Sequence, residues 1–310
     1  MKTNNPQHAE TSPAPSFTIA VCTHNRDSIL RETLDSFFNL YPTLPAEWEF
    51  LVVDNASTDQ TPAVCREFPA IVYRRENTLG LSHARNLAVC ESRGDWVVFV
   101  DDDVFFVAGW LEAYTEAIHT SPPQVAFLGG PVQPHFGGTV EPWMAAHMKL
   151  LQPVFGLTAE TVTETSITDP NGALPVGANL AFRKAALPRQ PFSVKLGRRG
   201  HHLLSMEETE IMKYLLNGSA SGSWVLSATL RHRVPRKRMT PAYVRRFYRG
   251  VGSSLNAIRP KRYRQLISKY AINRLRILLH HLTIRDPFAL QVRTWMIEGR
   301  IQALRQEGRK

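Results

Sequence analysis

The chain has 310 residues, 43% of them hydrophobic and 21% charged, with a formal net charge of +10. This composition excludes a disordered or fibrous chain and supplies a substantial core, in one large domain or two modest ones. The three cysteines, Cys22, Cys65 and Cys90, lack metal-ligand spacing and exclude a disulfide framework, which favours a reducing cytosol; Cys22 and Cys90 read as small core residues.

Residues 1–16 are polar and proline-rich, without the apolar run of a secretory signal, and read as a disordered tail. Phe17–Cys22 is a short β-branched strand, and Asp27 is placed to cap the helix carrying Ile29, Leu30, Leu34, Phe37 and Phe38 on one face. Phe50–Val53 is a second buried strand running into Asp54-Asn55-Ala56-Ser57-Thr58-Asp59, and Ala70–Tyr73 is a third. Ser82 can cap a helix reaching Glu91, and Trp96–Val100 is a fourth strand, ending in Asp101-Asp102-Asp103. Strands alternating with short helices imply a mainly parallel sheet covered on both faces, an α/β fold with ligands at the carboxyl ends of its strands. Residues 129–168, rich in proline, glycine and threonine, read as loops. Val176–Phe182 is a glycine turn into a strand, Ser205–Leu216 is a helix, and the chain beyond Pro241 is helical and basic. The expected division is a tail (1–16), a catalytic domain (17–240) and a basic helical extension (241–310).

Polar groups gather where three of these strands end. Asp101 and Asp103 can hold a hard divalent ion such as Mn²⁺ or Mg²⁺; surface acids in water are the plain alternative, and Asp103 can also cap a following helix. Asp54 can accept from a base or ribose, or cap its own turn. Arg85, in a helix whose N-terminus favours phosphate, can reach a diphosphate or hold the acids in place. Ser205-Met206-Glu207-Glu208 fits a capping box, which gives Glu208 a structural role on spacing alone.

These stretches, in this order, resemble the family 2 glycosyltransferases of GT-A fold: FTIAVCTHNR, LVVDNASTDQT, NTLGLSHARNLA, WVVFVDDDV followed by Gly109-Trp110-Leu111, VGANLAFRK and MEETEI. The resemblance runs from about Phe17 to Met239. It implies a Rossmann-like, mainly parallel sheet and transfer of one sugar, with inversion, from a nucleotide-sugar, usually UDP-linked. The acceptor would be a glycan or a lipid-linked sugar, in cell-surface polysaccharide or glycolipid synthesis. By position, Thr23, His24, Asn25, Arg26 and Asp54 would line the nucleotide pocket and Arg85 would lie beside the diphosphate. Asp101 and Asp103 would form the metal site, with Asp102 near the ribose and His232 near the ion or diphosphate; a half-buried strand-end histidine is the bland reading of His232. Glu208 would be the catalytic base, a glutamate where aspartate is commoner, with Glu207 the fallback. The Gln/Arg-x-x-Arg-Trp signature of processive synthases is absent.

Residues 231–310 carry 21 lysines and arginines against three acids. Within 261–284 an apolar stripe (Tyr263, Leu266, Ile267, Tyr270, Ala271, Leu275, Leu278, Leu279, Leu282) is interrupted by Arg274, and Arg262, Lys269 and Arg276 fall on the opposite face. Such a helix suits an anionic membrane surface; equally, its apolar side can pack on the catalytic domain. No stretch is long and apolar enough to span a bilayer, so the expected location is cytoplasmic, at most peripheral to the inner face of the cell membrane. A nucleotidyltransferase would carry a glycine-rich phosphate loop after the first strand, where THNR has none. A nucleic-acid-binding protein driven by the basic tail would carry a recognised module, and none is seen; nucleic acid is not an expected partner.

Overall fold

A computed structural model describes residues 16–158, 165–200, 203–282 and 286–307; the expected N-terminal tail, up to residue 15, lies outside them. The first half alternates strands and helices: β1 (Phe17–Thr23), α1 (Asp27–Phe38), β2 (Trp48–Asn55), α2 (Thr61–Arg66), β3 (Ile71–Glu76), α3 (Leu81–Glu91) and β4 (Trp96–Asp101). These four strands are parallel, with Cys22 in register with Asp101 and Thr23 with Asp54. All eight residues of β2 are buried, as a strand covered on both faces requires. The twofold alternation of the side chains divides the core. Ile19, Val21, Phe50, Val52, Val98 and Val100 pack with Leu30, Leu34 and Phe37 of α1 on one side; Ala20, Leu51, Val53, Val97 and Phe99 pack with Ala84 and Ala88 of α3 on the other.

The second half contains β5 (Val104–Phe106), α4 (Trp110–Thr120), β6 (Val125–Gly129), β7 (Val132–Phe136), α5 (Pro142–Ala146), α6 (Met148–Phe155), β8 (Ser166–Ile167), β9 (Asn179–Arg183), α7 (Glu207–Asn217), β10 (Ser221–Trp224) and β11 (Leu230–Val234). Three helices follow: α8 (Pro241–Ile258), α9 (Tyr263–Leu282) and α10 (Phe288–Glu307). The main sheet runs β3-β2-β1-β4-β9-β6-β10-β8 and a small sheet runs β5-β11-β7. β9 is antiparallel to both its neighbours, so the mainly parallel sheet is mixed. Asn179 ties β9 to α4 and to the segments that enter the small sheet: its Oδ1 accepts from Trp110 Nε1 and Tyr114 Oη, and its Nδ2 donates to the carbonyls of Pro131 and Ala228.

Several local expectations are corrected. Residues 129–168 hold β7, α5, α6 and β8 as well as loops; their apolar anchors, Leu151, Val154 and Phe155, are fully buried among prolines and glycines that mask the period. Asp27 lies inside α1 rather than capping it. Its carboxylate accepts from the backbone N–H of Ser28 and Gln60 instead. Gly80, at φ 145°, precedes α3, and Ser82 Oγ donates to the Leu196 carbonyl. Cys65 is buried and Cys90 exposed. Asp103 caps no helix, because strand β5 follows it directly. The helix start at α7 has no capping box: Met206 precedes it at φ 80° and no side chain caps it.

Candidate active site

The carboxyl ends of β1, β2 and β4 open onto a cleft of about 1160 Å³. Its wall takes in Thr23, His24, Asn25 and Arg26 from the loop after β1, all three aspartates after β4, and Glu207 with Glu208 from the start of α7. Asp54, Arg85 and His232 stand behind that wall, each almost fully buried.

The loop after β1 is fastened to the loop after β2. His24 Nδ1 lies 2.7 Å from the Asn55 carbonyl, and Asn25, at φ 50°, receives the Thr58 N–H and donates its own N–H to Ser57 Oγ. Asp54 holds the base of this arrangement. One oxygen accepts from the Ser57 N–H, closing the turn as a cap does, while the other accepts from Tyr73 Oη and Arg75.

The aspartate triplet separates into three environments. Asp102 turns inward, accepting from Thr23 Oγ1 and Arg26. Burial, reinforced by the neighbouring Asp103 and opposed by Arg26, pushes its carboxyl up to about 6. Asp103 is equally buried, but His232, Arg26 and Arg238 surround it and outweigh burial, holding it well below the usual carboxylate range. Asp101 remains the accessible member, with 37% of its side chain exposed.

The small sheet explains how residues 130 positions apart meet. β5 continues straight from the triplet, and antiparallel pairing sets His232 of β11 opposite Val104. His232 Nε2 then sits 3.0 Å from Asp103 Oδ1 and 3.9 Å from Asp101 Oδ2. Ligand atoms of Asp101, Asp103 and His232 all lie within 4.8 Å of one another. Adjacent ligands on an octahedral ion with bonds near 2.1 Å are about 3.0 Å apart, so the His232–Asp103 spacing fits shared coordination. Two carboxylates and one imidazole suit Mn²⁺ at least as well as Mg²⁺.

Opposite the triplet, Arg85 is 5% exposed and reaches Glu207 at 2.9 Å, Glu208 at 3.5 Å and Asp101 at 3.7 Å. Glu207 is buried and one of its oxygens has no partner; burial, together with the charge of Glu208, pushes it up to about 8. Glu208 leaves 20% of its side chain in the cleft. Gly177 makes this possible. A Cβ there would lie 2.6 Å from Arg85 Nη2 and 3.0 Å from Glu208 Oε1, so the glycine before β9 is a clearance requirement rather than a turn device.

The sequence decides the family. Residues 18–189, more than half of the chain, match Glycosyl transferase family 2. The chain belongs to this family. The succinoglycan biosynthesis protein ExoM of Rhizobium meliloti (strain 1021) is 33% identical over 131 residues, 41% of this chain and 41% of that protein. The uncharacterized glycosyltransferase YwdF of Bacillus subtilis (strain 168) is 33% identical over 107 residues, 34% of this chain and 39% of that protein. The matched segment therefore spans about two fifths of these relatives. A mannosyltransferase from Pyrobaculum calidifontis, solved with GDP-Man and Mn²⁺, superposes with a TM-score of 0.61 at 18% identity, covering 95% of this chain and 88% of that one. That likeness gives the family 2 chain its GT-A fold.

Sequence reasoning missed three features of the family 2 site. Arg238, which the sequence shows only as one of a run of basic residues, is 7% exposed and donates to Asp103 Oδ2. Tyr73 and Arg75 saturate Asp54; their alternation on β3 was the only available signal. Phe247 and Tyr248 of α8 line the cleft, a placement that no local pattern announces.

Proposed function

We propose that this chain is an inverting glycosyltransferase that moves one sugar from a nucleotide-sugar, UDP-linked, to a hydroxyl of a glycan or lipid-linked acceptor in cell-surface polysaccharide or glycolipid synthesis. One observation carries the reading: Asp101, Asp103 and His232 converge on one side of the cleft while Glu208 faces it from the other. The loop Thr23–Arg26 receives the nucleotide, with Asp102 in the same wall holding Thr23 and Arg26 and Asp54 acting one layer behind through the groups it holds. Asp101, Asp103 and His232 would hold Mn²⁺ or Mg²⁺, which when bound supplies positive charge to the diphosphate. Arg233 and Lys237 line the same cleft and favour the negative charge that grows on the leaving group.

Glu208 takes the proton from the acceptor hydroxyl. The acceptor's oxygen forms the new bond to the anomeric carbon as the bond to the diphosphate breaks on the opposite face, and the nucleoside diphosphate leaves unprotonated. General-base help of this kind is worth ~10²–10⁴-fold. Glu207, sealed against Arg85, positions that arginine and serves as the second choice for the base. Among the described residues no helix is long and apolar enough to cross a membrane; the basic C-terminal helices support work at an anionic membrane surface, at the inner face of the cell membrane.

A thermal-shift screen of nucleotide-sugars with and without Mn²⁺, followed by transfer assays on the stabilising donors, tests the reading. A ligand bound only by the folded state raises its stability. Stabilisation by a UDP-sugar only with the ion present, followed by sugar transfer, is expected; no stabilisation by any nucleotide or nucleotide-sugar would end the reading.

A further inference from the structure

The amphipathic helix α9 sits the other way round from the simplest expectation. Leu266 is buried and Tyr270 and Ile277 are half-buried against the body, but Ile267, Ile272, Leu275, Leu278 and Leu279 are 40% to 59% exposed. Lys269 and Arg276, on the face opposite the apolar stripe, border a second cavity of about 540 Å³ between α8, α9 and α10. Five cations line it: Lys261, Lys269, Arg276, Arg293 and Arg300.

No carboxylate lines this cavity among the described residues. Two nearby acids are engaged elsewhere, Asp286 with His147 and Glu298 with Arg245 and Arg249. Arg300 is 9% exposed, and its Nη1 donates to the backbone carbonyl of Arg259. Lys261 is depressed chiefly by Lys269, then by Arg300. Arg300 is the buried cation of the set and Lys261, Lys269, Arg276 and Arg293 are exposed around it; a polyvalent anion seated among them would offset the cost of burying the guanidinium. The frame is rigid, because α8 and α10 touch backbone to backbone: a Cβ on Gly252 would lie 2.0 Å from the Met296 carbonyl, and one on Gly299 1.9 Å from that of Arg249.

We infer that this cavity receives the phosphate of an anionic phospholipid, and that the exposed apolar face of α9 enters the acyl boundary beside it. Ile272 links the two features. It lines the cavity and is 51% exposed, and Leu275 and Leu279 follow it on the same helix face at i+3 and i+7. Cations beside exposed leucines match a lipid surface, which presents phosphate and hydrocarbon together; a soluble polyanion would leave the leucines in water. The inference rests on the membrane-surface reading given above and supplies its site.

The test is co-flotation of the full chain with vesicles of phosphatidylcholine alone or mixed with phosphatidylglycerol. Wild type floats with the acidic vesicles only. Lys269→Gln with Arg276→Gln lowers partition about thirtyfold, each charge contributing roughly a factor of five at an anionic surface. Leu275→Ser with Leu279→Ser lowers it with every charge retained. Lys149→Gln with Arg246→Gln, equal in charge change but outside the cavity, has a clearly smaller effect. An equal loss in this control means diffuse attraction and overturns the cavity, while the membrane reading survives. Absence of wild-type flotation overturns both. Competition by inorganic phosphate or by DNA, with the leucine variant unaffected, assigns the cavity to a soluble anion and overturns the lipid. UDP binding with Mn²⁺ in each variant confirms an intact fold and catalytic cleft.

Discussion

Arg85 Nη1 lies 2.9 Å from Glu207 Oε1, joining α3 to α7 across 122 residues of sequence, with both side chains at least 95% buried. The guanidinium also reaches Glu208 and Asp101, so one buried cation connects the two sides of the cleft. Arg85→Ala leaves the buried Glu207 carboxyl without its hydrogen-bond partner, which is expected to cost about 1–3 kcal/mol, and Arg85→Ala with Glu207→Leu should recover part of that loss. Urea unfolding of the four proteins in the cycle measures the coupling; additive losses would show the pair to be energetically independent.

Glu207 makes stability depend on pH in a defined direction. Its carboxyl rises from an ordinary 4.5 to about 8 through burial and the charge of Glu208. A group raised on folding stabilises fully below its unfolded value and loses that contribution as pH climbs through the folded one. The Glu207→Gln protein should thus gain on wild type between about pH 5 and 8, by on the order of a few kcal/mol. Melting temperatures of both proteins across that range check the sign, and parallel curves would refute it.

Asp103 binds three basic groups and faces the candidate ion. Asp103→Ala is expected to abolish Mn²⁺-dependent UDP binding by calorimetry and to lower stability by a few kcal/mol, since Arg26 and Arg238 lose a buried counter-charge. His232→Ala should weaken the ion, with the arginine contacts of Asp103 retained. Unchanged Mn²⁺ affinity in His232→Ala would remove the imidazole from the ligand set.

The strand-end chemistry was legible because parallel strands buried on both faces write themselves as continuous apolar runs, and the polar residues that stop them mark the ligand edge. Thr23, Asp54 and Asp101 stood out for that reason, whereas Glu208 was singled out as a base only by the family resemblance. The partners that organise them did not. Arg238 sat in a basic run; His232 was reached only through the family resemblance, and the β5–β11 pairing shows how it comes to Asp103. The capping-box reading at Ser205–Glu208 failed for a physical reason: spacing specifies a local cap, but burial against Arg85 claims Glu207 and a left-handed Met206 starts the helix. On α9 the apolar period located the helix but could not say which face meets the protein, since residues on both sides of it are hydrophobic.

Glu208 is the carboxylate whose role the geometry separates from its neighbour. No side chain caps α7, so Glu208→Gln removes no cap and should leave the melting temperature within about 0.5 kcal/mol equivalent of wild type. The amide keeps the shape and loses the ability to take a proton. Donor and Mn²⁺ binding should persist while transfer falls by ~10²–10⁴-fold. Glu207→Gln, in the cleft wall but buried against Arg85, should retain more activity than Glu208→Gln, because it acts on Arg85 and not on the acceptor. If the order were reversed, with Glu207→Gln inert and Glu208→Gln active, the proton would pass to Glu207, and Arg85 would have to move aside to admit the acceptor.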